Sequence, residues 1–214
     1  MRTKILLIAA ATFAAGLVAS NASPVYSANV VGYVTVSAPA GSYVLVSNPL
    51  DDGTNTTTSL GLNLPNKSSI NVWNGTSFVT SAKSGGVWTP DQSIPVGTGF
   101  FVNAKTATNI TFVGNVIVPS AGVGTNVNVL GAGTYELVGS QIPYSGDLNQ
   151  TTGTNLTLGL ILPNKSSVNV WNGTSFVTSA KSGGVWTPNA TIAVGQGVFV
   201  NAKTATNWVQ VATY

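Results

Sequence analysis

The sequence has no cysteine and no histidine, and charged residues make up only 6% of its 214 positions. A soluble domain usually has about a quarter. The missing cysteine removes thiol nucleophiles, disulfides and zinc fingers. The missing histidine removes the imidazole that most often serves as general base or metal ligand. Polarity is carried by neutral groups instead: Gly, Ser, Thr and Asn supply 93 residues.

Long apolar runs are also scarce, apart from one at the start. Residues 1–22 read as a secretory signal, with Arg2 and Lys4 as the basic start and an apolar run from Ile5 to Val18. Ser20-Asn21-Ala22 supplies a cleavage point, so the mature chain is expected to begin at Ser23. The run is shorter than the roughly 20 residues a membrane span needs. No later stretch is apolar enough to span. Cleavage would leave six lysines against five acids, a net charge of +1, with no arginine and no methionine. Scattered lysines do not make the basic stripe that neutralises phosphates, so nucleic acid is not an expected partner. The expected location is outside the cytoplasm: periplasm, cell surface or medium. Without disulfides, packing and strand pairing must hold the fold.

The main internal feature is a duplication. Leu64–Asn109 matches Leu162–Asn207 at an offset of 98, with 39 of 46 positions identical. Upstream the offset falls to 92, and Gly41–Val46 answers to Gly133–Val138. The second copy therefore carries six extra residues, placed between Ile142 and Leu156. The expected organisation is a leader (1–22), a first β module (23–118) and a second (119–214).

Each copy reads as β-structure: short runs of Val, Thr, Ile and aromatics, broken by Gly, Pro, Asn and Ser. In the first copy the expected strands are Val30–Ser37, Ser42–Ser47, Ile70–Trp73, Thr76–Ala82, Val87–Thr89, Gly99–Asn103 and Ile110–Val113. Thr57–Leu64 is expected to hold at most one helical turn. Val113–Gly133 reads as a short, strand-containing connection between closely apposed modules. The fold class is all-β: two tandem small sandwiches or partly closed barrels.

Asn74-Gly75 suggests a two-residue type I′ hairpin turn, pairing Trp73 with Thr76, Val72 with Ser77 and Asn71 with Phe78. Alternation would then put Ile70, Val72, Ser77 and Val79 on a core face. Asn71, Trp73, Thr76 and Phe78 would share a mixed polar and aromatic face, repeated by Asn169, Trp171, Thr174 and Phe176. Glu136 replaces Val44, which predicts that this position faces water while Tyr43 and Leu45 face the core.

The pattern Ala40–Leu50, Val72-Trp73-Asn74-Gly75, Trp88 and Ile94–Val102, with Tyr26–Val34 after a leader, resembles an uncharacterised tandem β-module family of exported proteins from outer-membraned bacteria. The second copy departs from it, with Ser140-Gln141-Ile142-Pro143 where the first has Asn48-Pro49-Leu50. The resemblance implies a secreted or surface β protein. It carries no assigned activity and so no catalytic residue.

Chemical sites are few. A glycosidase needs two carboxyl groups at a set separation. Asp51, Asp52 and Asp91 are available in the first copy, but Asn189 replaces Asp91 in the second. There is no Gly-x-Ser-x-Gly elbow and no Ser-x-x-Lys spacing. Asp51, Asp52 and Asn55 do not match an EF-hand loop and read as a turn. Gly97-Thr98-Gly99 and Gly195-Gln196-Gly197 lead into strands, not helices, and read as tight turns into them. A membrane β-barrel would need longer strands, and Gln210 interrupts the outward apolar alternation of the last one. No catalytic residue, cofactor or metal is expected.

The expected role is therefore structural or adhesive and non-enzymatic, with partners in further copies of itself or other surface proteins. The alternative is a carbohydrate-binding module that holds polysaccharide on Asn71, Trp73, Phe78, Trp88, Asn169, Trp171, Phe176 and Trp186, although aromatics in small β modules more often pack in the core or between modules.

Overall fold

The computed structural model describes residues 31–117, 123–150 and 158–213. The expected leader and the end of the expected insertion lie outside the described residues. The first copy contributes β1 (Val31–Ala38), β2 (Tyr43–Ser47), β3 (Ser69–Trp73), β4 (Phe78–Ser84), β5 (Val87–Thr89), β6 (Gly99–Asn103) and β7 (Thr108–Asn115). The second contributes β8 (Val123–Leu130), β9 (Tyr135–Gly139), β10 (Gly146–Asp147), β11 (Ser167–Trp171), β12 (Phe176–Ser182), β13 (Val185–Thr187), β14 (Thr191–Ile192), β15 (Gly197–Asn201) and β16 (Thr206–Thr213). The fold is all-β, with no helix among the described residues, and none of its sheets closes into a barrel.

Two five-stranded antiparallel sheets, ordered β2-β6-β3-β4-β5 and β9-β15-β11-β12-β13, have the same plan. In each copy the first strand pairs antiparallel with the last, β1 with β7 and β8 with β16, as a two-stranded ribbon. The ribbon and one face of the sheet share a core. In the first copy that core includes Val34, Ile70, Trp88, Phe100, Ile110 and Phe112. In the second it includes Leu130, Val168, Trp186, Val200 and Trp208. The seven strands expected in the first copy all form, with ends within two residues of those read from the pattern. The connection expected over Val113–Gly133 contains the end of β7 and all of β8.

Three local expectations are corrected. The hairpin does not use a type I′ turn. Trp73 pairs with Phe78, Val72 with Val79 and Asn71 with Thr80, so the loop is Asn74–Ser77. The reason is Asn74, whose side-chain oxygen accepts the N–H groups of Thr76 and Ser77 and thereby builds a wider turn. Trp73 and Phe78 thus lie directly opposite each other, not diagonally. Ser77 and Thr76 leave the strand faces. Next, Val44 does not face water: it packs at the edge of the first core, and the Glu136 carboxylate accepts the N–H of Gly131. Leu45 is buried, but in a separate cluster away from both cores, and Tyr43 is 47% exposed. Finally, Gln210 points inward. It is buried, donating to the Ser140 hydroxyl and accepting the N–H of Gln141. The segment from Thr57 makes one hydrogen-bonded turn, Leu60 N–H to Thr56 O.

Two differences between the copies have readable consequences. Asp91 accepts the Thr57 hydroxyl at 2.7 Å and the Thr58 N–H at 2.9 Å. The Thr57 hydroxyl holds the Asp91 carboxyl below its ordinary value of 3.8. A carboxyl lowered by folding adds stability above its unfolded pKa and loses that share as pH falls through the folded one. Asp91→Asn is expected to lower the thermal midpoint near neutrality and to change it little in acid, so that the acid limb of the profile flattens. The second difference is Gln92, which donates to the Ser81 hydroxyl and to the carbonyl of Val79. Ala190 stands in its place in the second copy, and the equivalent Ser179 hydroxyl is buried with no partner. Ala190→Gln is expected to stabilise the protein by about 1 kcal/mol, read from urea midpoints.

Candidate functional site

Each sheet has its core on one face. The opposite face carries Tyr43, Asn71, Trp73, Phe78 and Phe101 in the first copy, and Tyr135, Asn169, Trp171, Phe176 and Phe199 in the second. These two faces meet. Leu45, Phe101 and Leu137 are buried between them, with Trp73, Trp171 and Phe199 packed against that cluster. The rings contact edge to face across the seam: Trp73 with Phe199 at 5.6 Å, Phe101 with Trp171 at 5.5 Å and Phe78 with Phe199 at 6.2 Å. Edge-on contact suits the positive rim and negative face of an aromatic ring.

The seam is reciprocal. The Trp73 indole donates to the carbonyl of Tyr135, and the Trp171 indole to the carbonyl of Tyr43, both at 2.9 Å. The Ser47 N–H donates to Gly195 O at 2.8 Å, and the matching Gly139 N–H to Gly97 O at 2.9 Å. Each bond of one copy has its counterpart made by the other, so the copies are related by an approximate twofold. Among these backbone contacts symmetry fails at Ser47. Ser47 projects its hydroxyl toward the carbonyl of Gln196, at 3.2 Å, where its counterpart Gly139 has no side chain. A Cβ on Gly139 would meet the Ser47 Oγ at 2.0 Å. Only one of the two positions can hold a side chain.

The glycine motifs serve this seam. A Cβ on Gly99 would lie 2.9 Å from Leu137, and one on Gly197 would lie 2.6 Å from the carbonyl oxygen of Val46. They were expected only to turn the chain into a strand. Their further role is to let the backbones of different copies approach.

The eight expected ligand residues therefore separate. Asn71, Trp73 and Phe78 come together with Asn169, Trp171 and Phe176 around the seam. Trp88 and Trp186 do not join them. They are 5% and 2% exposed and belong to the two cores. Their register explains this: Trp88 pairs with Lys83 of β4 across a turn at Gly85-Gly86, which places it on the core side of β5. Gly85 and Gly86 both have positive φ, and Gly-Gly between two apolar runs is a hairpin signal that would have placed Trp88 correctly. The residues missed are Tyr43 and Tyr135, whose rings rest edge-on against Phe101 and Phe199.

The acidic residues accept hydrogen bonds from turns and from distant loops, although the second carboxylate oxygen of Asp52 is buried without a partner. Asp51 accepts the side-chain amide of Asn55 and the N–H of Gly53. Burial pushes the Asp52 carboxyl up, but bonds from the N–H groups of Asn55 and Thr54 outweigh it and hold it below the ordinary value. Asp147 accepts the Thr191 hydroxyl. Among the described residues no three His, Cys, Asp or Glu side chains gather as metal ligands would, and no helix is long and apolar enough to cross a membrane.

Comparison with known proteins found no family model, no curated sequence and no solved structure that matches the chain.

Proposed function

We propose that the protein is a non-catalytic structural or adhesive component, exported to the periplasm, the cell surface or the medium. The observation that carries this reading is where the apolar surface lies. The aromatic face of each sheet is turned toward the other sheet, while each ribbon keeps an open apolar patch on its outer face. On β1 and β7, Tyr33 is 76% exposed and stands opposite Val113, with Val31 beside them. On β8 and β16, Val129 is 73% exposed and Val127 pairs with Val209. Two-stranded ribbons also leave both outer edges unpaired within their own sheet, and such edges are routes to strand addition. A net charge near zero favours association over repulsion. The aspartates serve structural hydrogen bonds, Asp91 to Thr57 and Asp147 to Thr191 among them, which together with the missing histidine and cysteine supports a role without catalysis.

The partner that fits two such patches on one chain is a further copy of the same chain, since unlike patches meeting head to tail build open assemblies. Sedimentation velocity and negative-stain imaging of the mature chain, across pH and calcium, test this. The expected result is concentration-dependent assemblies that Tyr33→Ser combined with Val129→Ser disperses. Monomers at every concentration would refute it.

A further inference from the structure

The seam does not close completely. One depression, of about 260 Å³, is lined by Tyr43, Asn71, Phe78, Phe101 and Trp171. A second, of about 490 Å³, is also lined by Tyr43 and Trp171 and reaches Ser37, Ser42, Thr174 and Gln196. Both copies are needed to form either one.

We propose that this bipartite groove binds a neutral oligosaccharide, with sugar rings against Tyr43 and Phe78 and hydroxyls on Asn71 and Gln196. No Lys, Asp or Glu lines either depression, so a carboxylate, phosphate or ammonium would lose its water with nothing to replace it. The rings at the groove are open, Tyr43 at 47% and Phe78 at 41%, and sugars present apolar C–H faces that aromatic surfaces accept. The two amides are already oriented. The Asn71 side-chain oxygen accepts the Thr80 hydroxyl at 2.6 Å, and that of Gln196 accepts the Ala193 N–H at 2.9 Å. With each oxygen tied down, the NH₂ end is the one left to donate, and donors fixed before binding lose less entropy. The Trp171 indole N–H is held by Tyr43 O, so this tryptophan positions the groove wall and does not donate to the ligand.

The twofold repeats the smaller depression's residue types as Tyr135, Asn169, Phe176, Phe199 and Trp73, and the Thr178 hydroxyl ties Asn169 in the same way. The larger depression is not repeated in kind, because Val129 and Thr98 stand where Ser37 and Gln196 do. One strong and one weaker site per chain follow.

This site rests on the adhesive reading for its purpose, and its test is separate. Cellohexaose, maltohexaose and chitohexaose are titrated against the mature protein by calorimetry and tryptophan fluorescence, with an oligogalacturonate as the anionic control. At least one neutral hexasaccharide is expected to bind saturably, and the anionic one is not. Tyr43→Ala, and independently Asn71→Ala, should each weaken binding about tenfold with the thermal midpoint held. The proposal is overturned if no neutral hexasaccharide binds at millimolar concentration, if only the anionic one does, or if binding survives both substitutions together. Failure here with assembly intact removes the sugar site alone. Sugar binding without assembly removes the self-assembly reading alone.

Discussion

Gly99→Ala combined with Gly197→Ala is expected to destabilise the protein by about 2–6 kcal/mol and to part the two sheets, at about 1–3 kcal/mol for each overpacked position. Neither glycine has the positive φ that would make alanine strained in itself, so the cost comes from approach alone. At Gly197 the new methyl would press on the carbonyl oxygen of Val46, a backbone atom held by its own strand. At Gly99 it would press on Leu137, which is buried in the seam. In urea, followed by fluorescence and circular dichroism, the single transition expected of the parent should divide into two. Gly75→Ala is the contrast. Its φ is +99° and a methyl there meets nothing within 4 Å, so only local turn strain is expected and the sheets should stay coupled.

Trp186→Ala is expected to cost about 3–5 kcal/mol, in the range for removing a large buried aromatic. The ring is 2% exposed in the second core, and the Lys181 ammonium lies 5.6 Å from its centre. Asn149 brackets its backbone, accepting from the Trp186 N–H and donating to the Trp186 carbonyl. The indole N–H itself is buried without a partner. Trp186→Phe should therefore be much milder, because it keeps most of the packing and removes the orphaned donor. Trp73→Ala should cost less than Trp186→Ala, since Trp73 is only half-buried, and its loss should show mainly as weaker coupling between the sheets. Equal losses at Trp73 and Trp186 in urea titration would mean that the two rings do not differ in burial.

The strands were legible because their period-2 pattern is clear, and the repeat allowed each one to be read twice. Chain pattern distinguishes two faces, however, without saying what each face meets. Trp73 and Phe78 lie on the opposite side from Ile70 and Val72, as alternation implies, whereas Tyr43, expected in the core, shares their side. That this side meets its own duplicate depends on the docking of the copies, which no local pattern encodes. One signal was present. Phe100-Phe101-Val102 and Val44-Leu45-Val46 are apolar at consecutive positions, as strands covered on both faces are. The register error at Asn74-Gly75 has a different cause: the Asn74 side chain competes with the backbone for the turn's N–H groups, and that competition selects the longer loop. Trp88 was misplaced because a three-residue strand has too few positions to show its own parity.

The tryptophans of the repeated hairpin lock one copy to the other. The five tryptophans give five separate indole signals in ¹⁵N-labelled protein, and hydrogen exchange at those indoles tests the lock directly. Trp73 and Trp171 are expected to be protected in the parent and to lose protection together in the Gly99→Ala, Gly197→Ala variant. Trp208, bonded to Leu158 O within the second copy, should stay protected in both. Free exchange at Trp73 and Trp171 in the parent protein would contradict the lock.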